Sequence, residues 1–252
     1  GQVNLNAGTF SVGGGTTLNT KEFTAATGST LLIASGGTVN ALYASGNTNF
    51  NGVFDAASAG AFTATSAAGT SSGLTFGASF TATNLILNLG GSSIGGSDQT
   101  NYFRLELGGV SISVGTLHIT GDTILDFNNT NATFLSSANL TIDAGVKIIV
   151  EGWISAANDL AHSSVWYATS TINGGTLGGG NQVGGVPLSQ IVFSGSTPGL
   201  MPTWVSGNQS GWFDHEIRPT PEPSTYGAIM IGAALAFLGY RRYRRRQAAP
   251  VN

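Results

Sequence analysis

Cysteine is absent from the 252 residues of this chain. No disulfide bond can therefore brace the fold, and neither a thiolate zinc site nor a cysteine nucleophile is possible. Charged residues are also scarce, at 8% of the sequence, whereas hydrophobic residues make up 41%. A chain of this length and apolar content can bury one substantial core, so the scarcity of charge does not imply disorder.

Basic residues in particular are almost missing before the end of the chain. Up to Glu222 there are 12 acidic residues against four basic ones, a net charge of −8. Those four are Lys21, Arg104, Lys147 and Arg218. Proteins that bind nucleic acids hold the phosphates through clustered Lys and Arg. The acidic body therefore argues against a nucleic-acid partner.

Glycine is abundant, at 38 of 252 residues, against a usual share of ~7%. In residues 1–82, Gly and Asn turn signals separate short segments that contain Thr and Leu, without any exact repeat. From Leu85 onward apolar and polar residues alternate, which is typical of strands with one buried face. Two such faces are formed by Leu85, Leu87 and Leu89, and by Phe103, Leu105 and Leu107.

These patterns predict a mainly β body over residues 1–213, and two architectures fit them. One is a parallel β-helix, or β-solenoid, and the other is a β-sandwich. The solenoid is favoured because the strands are short, numerous and rich in small outward-facing residues, whereas a sandwich more often has large core aromatics. Trp204, Trp212 and Phe213 are expected to cover the last open sheet edge.

Two glycine-rich motifs invite a catalytic or phosphate-binding interpretation. Residues 91–95 (GSSIG) fit the G-x-S-x-G nucleophile elbow, but strand alternation follows where that elbow needs a helix. Residues 174–185 (GGTLGGGNQVGG) lack the Lys-Ser/Thr pair of a phosphate-binding loop. The first motif therefore predicts a turn, and the second predicts a flexible loop.

Asp122 and Asp126 would share one face of a continuous strand, where two carboxylates could bind calcium or act as an acid/base pair. No third acid or base lies nearby in sequence, and Gly121-Asp122 indicates a turn, so both are expected to be turn and surface residues. His118, His162 and His215 stand at no metal-ligand spacing, and His118 is expected to face outward from a strand. No catalytic residue, metal site or cofactor is predicted.

The end of the chain is unlike the rest. Ser224 to Tyr240 is a run of 17 residues without a formal charge, and as a helix it would span roughly 25 Å against a hydrocarbon core of about 30 Å. Tyr226 and Tyr240 can lie at the two interfaces, and the arginines that follow are expected to stay cytoplasmic. This run predicts one C-terminal transmembrane helix after the β body.

Three features follow one another in the tail: the motif Pro221, Glu222 and Pro223, the apolar run, and a basic cluster of Arg241, Arg242, Arg244, Arg245 and Arg246. In this order they resemble the PEP-CTERM sorting signal of Gram-negative bacteria. The resemblance implies export across the inner membrane and cleavage near Pro-Glu-Pro by an exosortase, in bacteria that produce exopolysaccharide. Residues 214–220 are predicted as a linker, 221–246 as the sorting signal and 247–252 as a tail.

Residues 116–218 also resemble the region before the sorting tail in autotransporter-like β-strand-repeat proteins of such bacteria. Together these features predict an exported, non-enzymatic protein of the cell envelope that ends at the cell surface or in the extracellular matrix. Strands faced with Thr, Ser and Asn could hydrogen-bond exopolysaccharide. The alternatives are a polysaccharide lyase or hydrolase on the same solenoid, and an adhesin permanently anchored by the C-terminal helix.

Overall fold

β-strands dominate the computed structural model. It describes residues 1–96, 99–128, 133–153, 165–176, 182–183, 188–194, 200–204, 216–221, 235–237 and 240. The strands are β1 (Gln2–Leu5), β2 (Gly8–Val12), β3 (Thr17–Thr20), β4 (Glu22–Ala25), β5 (Ser29–Ile33), β6 (Thr38–Tyr43), β7 (Gly46–Phe50), β8 (Val53–Phe54), β9 (Ala61–Ser66), β10 (Ser72–Phe76), β11 (Phe80–Gly90), β12 (Phe103–Leu107), β13 (Ser111–Ile119), β14 (Thr123–Asp126), β15 (Phe134–Ile142), β16 (Ile148–Glu151), β17 (Val165–Ile172), β18 (Gly175–Thr176), β19 (Gln182–Val183), β20 (Ile191–Phe193), β21 (Leu200–Trp204) and β22 (Ile217–Pro221). Two 3-10 helices, η1 (Gln99–Asn101) and η2 (Leu188–Gln190), interrupt them.

Three sheets hold strands β1 to β18 and β20, and the chain visits all three in turn as far as β9. Sheet 1 has the order β1-β4-β7-β10-β12-β14-β16-β20, sheet 2 has β3-β6-β9-β11-β13-β15-β17-β18, and sheet 3 has β2-β5-β8. Neighbouring strands are parallel throughout, except for the final pair β17 and β18. The mainly β prediction is confirmed, and the parallel pairing is consistent with a β-solenoid, whereas sandwiches are built from antiparallel sheets.

The core lies between the sheets and is built from rows of stacked apolar side chains. Parallel pairing places residues of successive strands at the same height, so Phe50, Phe76 and Leu107 form one row on β7, β10 and β12. The alternating residues predicted from the sequence, such as Leu87 and Leu105, are fully buried. Each such side chain contributes roughly 1.5–3 kcal/mol through removal of apolar surface from water.

Aromatic rings fill the first half of this core. The ring of Phe50 lies 5.0 Å from that of Phe54, 5.7 Å from Phe76 and about 6.2 Å from Phe23 and Phe62, centroid to centroid. All five rings are buried. Large core aromatics therefore occur in parallel sheets as well, because the inward rows of a parallel stack accommodate phenylalanine rings.

Tyr43 is the one buried tyrosine of β6, and it links stability to alkaline pH. Burial raises the pKa of its phenol far above the usual range, and the Glu22 carboxylate raises it further. The hydroxyl donates a hydrogen bond to the Phe23 carbonyl at 3.2 Å. The pKa of a tyrosine in the unfolded chain is about 10. A tyrosine whose pKa is higher in the folded protein adds to the free energy of unfolding, and this contribution is complete below about pH 10. This contribution is lost as the pH rises above 10 towards the folded pKa.

We therefore expect Tyr43→Phe to reduce the loss of stability above pH 10, because phenylalanine cannot ionise. At pH 8 the same substitution should lower the free energy of unfolding by about 1 kcal/mol, through the missing hydrogen bond. Urea unfolding at pH 8 and pH 11 measures both effects, with Tyr240→Phe as a control at a tyrosine that is 58% exposed. Equal alkaline losses in the wild type and in Tyr43→Phe would contradict the assignment.

An Asn-Gly turn ends the parallel pairing of sheet 2. Asn173 and Gly174 both have positive φ, 47° and 74°, which suits a tight hairpin between β17 and β18. The Asn173 Oδ1 accepts from the Ile142 N–H at 2.7 Å, and its Nδ2 donates to the Ile142 carbonyl at 3.0 Å. The Asn173 side chain thus bonds to the backbone of β15 where the pairing with β17 has ended. Two short strands, β18 and β19, lie in the stretch 174–185 that was predicted as a loop.

The structure places a strand where the sequence predicted the linker 214–220. Its described residues begin at Glu216, which forms an antiparallel bridge with Tyr167, and continue into β22. Ile217 is completely buried and Glu216 is 3% exposed. Burial and the Glu216 carboxylate both raise the pKa of Tyr167. Burial of the apolar Ile217 side chain favours packing of this segment against the body. β22 is an edge strand, and proline is tolerated in edge strands.

Of the three aromatic residues predicted to cover the last sheet edge, the structure describes one. Trp204 ends β21, which lies between β19 and β22 in an antiparallel sheet of three strands. Trp212 and Phe213 lie outside the described residues. An antiparallel sheet thus follows the parallel stack near its C-terminal end.

Candidate functional site

Asp122 is a buried structural carboxylate, which corrects the expectation of a surface aspartate. It has no exposed surface. Its Oδ1 accepts from the N–H groups of Gly95 and Lys147, each at 2.8 Å, and its Oδ2 accepts from the Gly96 N–H at 2.7 Å and the Ser93 hydroxyl at 3.0 Å. Asp122 therefore fixes the 91–95 motif against the body, and Ser93 serves that anchor. The described residues after the motif contain bends and η1, so it lacks the helix of a hydrolase elbow.

Asp126 lies at the end of β14, apart from the buried anchor just before that strand. Arg104 donates to Asp126 at 2.5 Å and to Glu151 at 2.9 Å. Glu106, Asp126 and Glu151 are register partners on β12, β14 and β16, and Glu106 accepts from the Thr75 hydroxyl at 2.7 Å. The structure thus assembles a charged row on sheet 1 that sequence reasoning missed.

The carboxylates of the charged row are engaged by partners within the protein. Its members are 22 to 47 positions apart in the hydrogen-bonded pairs with Arg104, so only the strand register could have brought them together. Each carboxylate of the row has a cation or hydroxyl partner. Among the described residues, no group of three His, Asp or Glu side chains is arranged to hold a metal ion.

We expect Arg104→Met to lower the free energy of unfolding by about 2 kcal/mol, because two partly buried carboxylates lose their charged donor. Arg104→Lys should recover only part of this loss, since an ammonium group cannot bridge both partners with the geometry of a guanidinium. Denaturant unfolding of the three proteins at neutral pH measures the difference. An Arg104→Met protein as stable as the wild type would show that the row contributes nothing.

A row of polar side chains crosses the outward face of sheet 2, and we call it the amide ladder. Its members are register partners on six successive strands. They are Asn19, Asn40, Thr63, Asn88, His118 and Thr141. Their flanking strand neighbours, such as Val39 and Ala41, are buried, so the period of two in each strand turns the ladder residues outward.

Side-chain hydrogen bonds link three of the five neighbouring pairs of the ladder. Asn40 Nδ2 donates to Asn19 Oδ1 at 2.9 Å, and Asn88 Nδ2 donates to Thr63 Oγ1 at 3.0 Å. His118 Nδ1 lies 3.2 Å from Asn88 Oδ1, and its Nε2 lies 2.8 Å from Asp143 Oδ1. The ring thus lies between the amide oxygen of Asn88 and the carboxylate of Asp143. The outward orientation predicted for His118 is confirmed, whereas His162 and His215 lie outside the described residues.

A second row runs beside the ladder. Its register partners are Thr17, Thr38, Ala61, Ile86, Thr116, Asn139 and Thr171. Thr171 donates to Asn139 Oδ1 at 2.8 Å, and Ile86 is 40% exposed. Hydroxyl and amide groups therefore alternate with small apolar patches over this face.

The two large sheets differ in charge. None of the eight strands of sheet 2 contains Asp, Glu, Lys or Arg, whereas the strands of sheet 1 contain Glu22 and the whole charged row. A shallow depression of about 350 Å³ lies at the β3 end of the ladder. Its lining is Gly1, Asn19, Thr20, Lys21, Asn40, Ala41, Leu42 and Thr65. The strands of sheet 2 thus present hydroxyl and amide groups and no Asp, Glu, Lys or Arg, with Lys21 in the depression and Asp143 beside His118.

The predicted sorting residues are mostly beyond what the structure describes. Pro221 is the last residue of β22. Glu222 and Pro223 lie outside the described residues, and so do Arg241, Arg242, Arg244, Arg245 and Arg246. Of the predicted transmembrane run, residues 235–237 and 240 are helical and exposed. The search for a helix of sufficient length and apolarity to cross a membrane, made on the described part of the chain, finds none.

Comparison with known proteins identifies no similar protein. No protein-family model matches the chain, no curated protein is similar to it, and no solved structure matches it. Inference about function therefore starts from the residues and surfaces described above.

Proposed function

We propose that this chain is an exported, non-enzymatic protein of the cell surface or extracellular matrix, whose β-solenoid body associates with exopolysaccharide. One observation supports the association above all others: sheet 2 has an outer face of amides and hydroxyls without a formal charge in its strands. Amide and hydroxyl groups both donate and accept hydrogen bonds, as the hydroxyl groups of sugars do.

Low charge suits a protein that works within hydrated glycan. A surface rich in Lys or Arg would bind phosphates, nucleic acids and anionic membranes without discrimination. This body has the opposite balance, −8 up to Glu222. Contact through neutral polar groups lets the body associate with a polymer through many weak hydrogen bonds.

The delivery route rests on the tail. The motif Pro221, Glu222 and Pro223, the apolar run and the five arginines support recognition by an exosortase at the inner membrane, followed by release to the surface. A permanently anchored adhesin is the alternative. Mass spectrometry of the mature protein separates the two, because processing places the new C-terminus near residues 221–223, and permanent anchoring leaves the arginine cluster attached.

A second candidate function is cleavage of polysaccharide on sheet 1. It is favoured by the charged row, in which Arg104 lies against Asp126 and Glu151, because acid and base pairs cleave glycosidic bonds. Incubation with a panel of glycans tests it. Activity that Asp126→Asn and Glu151→Gln abolish would establish an enzyme in place of a matrix protein.

The proposed association itself is tested by co-sedimentation. The full chain is mixed with exopolysaccharide isolated from the organism that makes it, and the polymer is pelleted. We expect the protein to pellet with the polymer at physiological salt and to remain bound at higher salt, because neutral contacts are screened little by ions. Protein that stays in the supernatant at both salt concentrations would refute the association.

A further inference from the structure

We infer that the amide ladder binds a neutral glycan chain in an extended conformation, which lies across the strands of sheet 2. The inference rests on the proposed function and names the binding surface, the class of polymer and its direction. Three features of the described residues support it: the repeat of the ladder, the internal hydrogen bonds of the ladder and the absence of Asp, Glu, Lys and Arg from the strands of sheet 2.

The repeat sets the direction. On each of the strands β3, β6 and β9 only two or three side chains point outward, for example Thr38, Asn40 and Leu42 on β6. Across the strands, the ladder continues without a break over six strands. Strands lie about 4.8 Å apart, so the ladder extends over roughly 24 Å. A linear polymer meets most ladder groups when it runs along this row.

The internal bonds of the ladder hold its polar groups ready for a ligand. Asn40 Nδ2 uses one of its two N–H groups on Asn19, and Thr63 Oγ1 accepts from Asn88 and keeps its own proton for donation. The side chains are therefore ordered before a ligand arrives, which lowers the entropy lost on binding. The remaining donors and acceptors point away from the buried side of the sheet.

The apolar side chains between the polar ones suit the C–H faces of sugar rings. Ile86 is 40% exposed and Leu42 is 46% exposed, and both belong to the outward face of sheet 2. Leu42 also lines the depression at the β3 end of the ladder. Binding sites for small polar molecules combine such apolar surface with a few fixed hydrogen-bonding groups.

The charge distribution selects a neutral polymer. The strands of sheet 2 contain no Asp, Glu, Lys or Arg, and the acidic residues elsewhere give the body a net −8 up to Glu222. A polyanion would be repelled by this field, and a polycation would be drawn to the charged row of sheet 1. Neutral glycan is the class that matches the face.

The test uses exopolysaccharide of the source organism, separated by anion exchange into neutral and acidic fractions and immobilised. The full chain is compared with an Asn40→Asp/Asn88→Asp variant, which places two charges in the ladder. The matched control is Asn47→Asp/Asn49→Asp, which makes the same change at exposed positions of β7 in sheet 1. Because Asn40 and Asn88 donate ladder bonds, Ile86→Lys serves as a second variant at an exposed position without such bonds.

We expect retention on the neutral fraction, weakened about tenfold or more in both sheet 2 variants and unchanged in the sheet 1 control. Retention on the acidic fraction alone would overturn the polymer class. Equal retention of all variants on the neutral fraction would overturn the surface and leave the proposed function standing, whereas retention on neither fraction would remove the proposed function itself. Self-association of the wild type that Ile86→Lys abolishes would assign the face to a second copy and also overturn the inference.

Discussion

Replacing Asp122 with Asn is expected to lower the free energy of unfolding by about 3–5 kcal/mol. Both carboxylate oxygens accept two hydrogen bonds each in a fully buried site. In asparagine one of these oxygens becomes an NH₂ group, which faces donors and can accept from neither. Two buried donors then lose their acceptor, at a cost of about 1–3 kcal/mol each, and the anchor of residues 91–96 is weakened.

Thermal and urea unfolding of the full chain measure this loss. Asp55→Asn is the matched control, because Asp55 Oδ1 accepts a single local bond from the Ala57 N–H at 2.8 Å, at an exposed turn. That control should change stability by less than about 0.5 kcal/mol. Similar losses in the two variants would mean that Asp122 is not the anchor that the contacts indicate.

Phe50→Ala should lower the free energy of unfolding by about 3–5 kcal/mol, because it removes a whole ring from the centre of the aromatic cluster. Four other rings lie within 6.2 Å of it, and neighbouring strands cannot close the gap without breaking their register. Stability against urea is the appropriate measurement. An unchanged transition midpoint would show that the aromatic cluster is not the centre of the core.

Phe10→Ala supplies the comparison for Phe50→Ala. Phe10 lies on β2, the first strand of sheet 3, and is only partly buried. Within the described residues its one ring neighbour is Phe23, at 5.9 Å between centroids. Its truncation should cost less than half as much as that of Phe50, because water already reaches part of the ring.

The strand class could be predicted because alternation is a local property. Leu85, Leu87 and Leu89 alternate with outward residues in sequence, and all three are fully buried in β11. Low charge and frequent turn residues added the inference of short strands. Neither property depends on which strands become neighbours.

The candidate surface could not be predicted in the same way, because it depends on register. Asn19 and Asn40 are 21 positions apart, Thr63 and Asn88 are 25 apart, and Asn88 and His118 are 30 apart. Turns of unequal length between strands remove any fixed repeat from the sequence. Even so, the residues of the ladder lie opposite each other, because the register of the parallel strands does not depend on how many residues connect them.

The same dependence on distant partners explains why Asp122 is buried and why part of a strand lies within the predicted linker. Asp122 follows a glycine and precedes a strand, which locally indicates an exposed turn, but Lys147 and residues 93–96 close over it. Residues 214–220 lie between the β body and the Pro-Glu-Pro motif, and the sequence predicts them as a linker. The burial of Glu216 and Ile217 within this stretch depends on β21 and on Tyr167, which are distant in sequence.

Hydroxyl-radical labelling of the full chain, with and without the organism's exopolysaccharide, tests the central claim most directly. Three exposed aliphatic side chains report on the two faces: Leu42 (46% exposed) and Ile86 (40%) on sheet 2, and Val192 (44%) on sheet 1. We predict that the polymer lowers labelling at Leu42 and Ile86 and leaves Val192 unchanged. Protection of Val192 without protection of Leu42 and Ile86 would contradict the assignment of sheet 2 as the working surface.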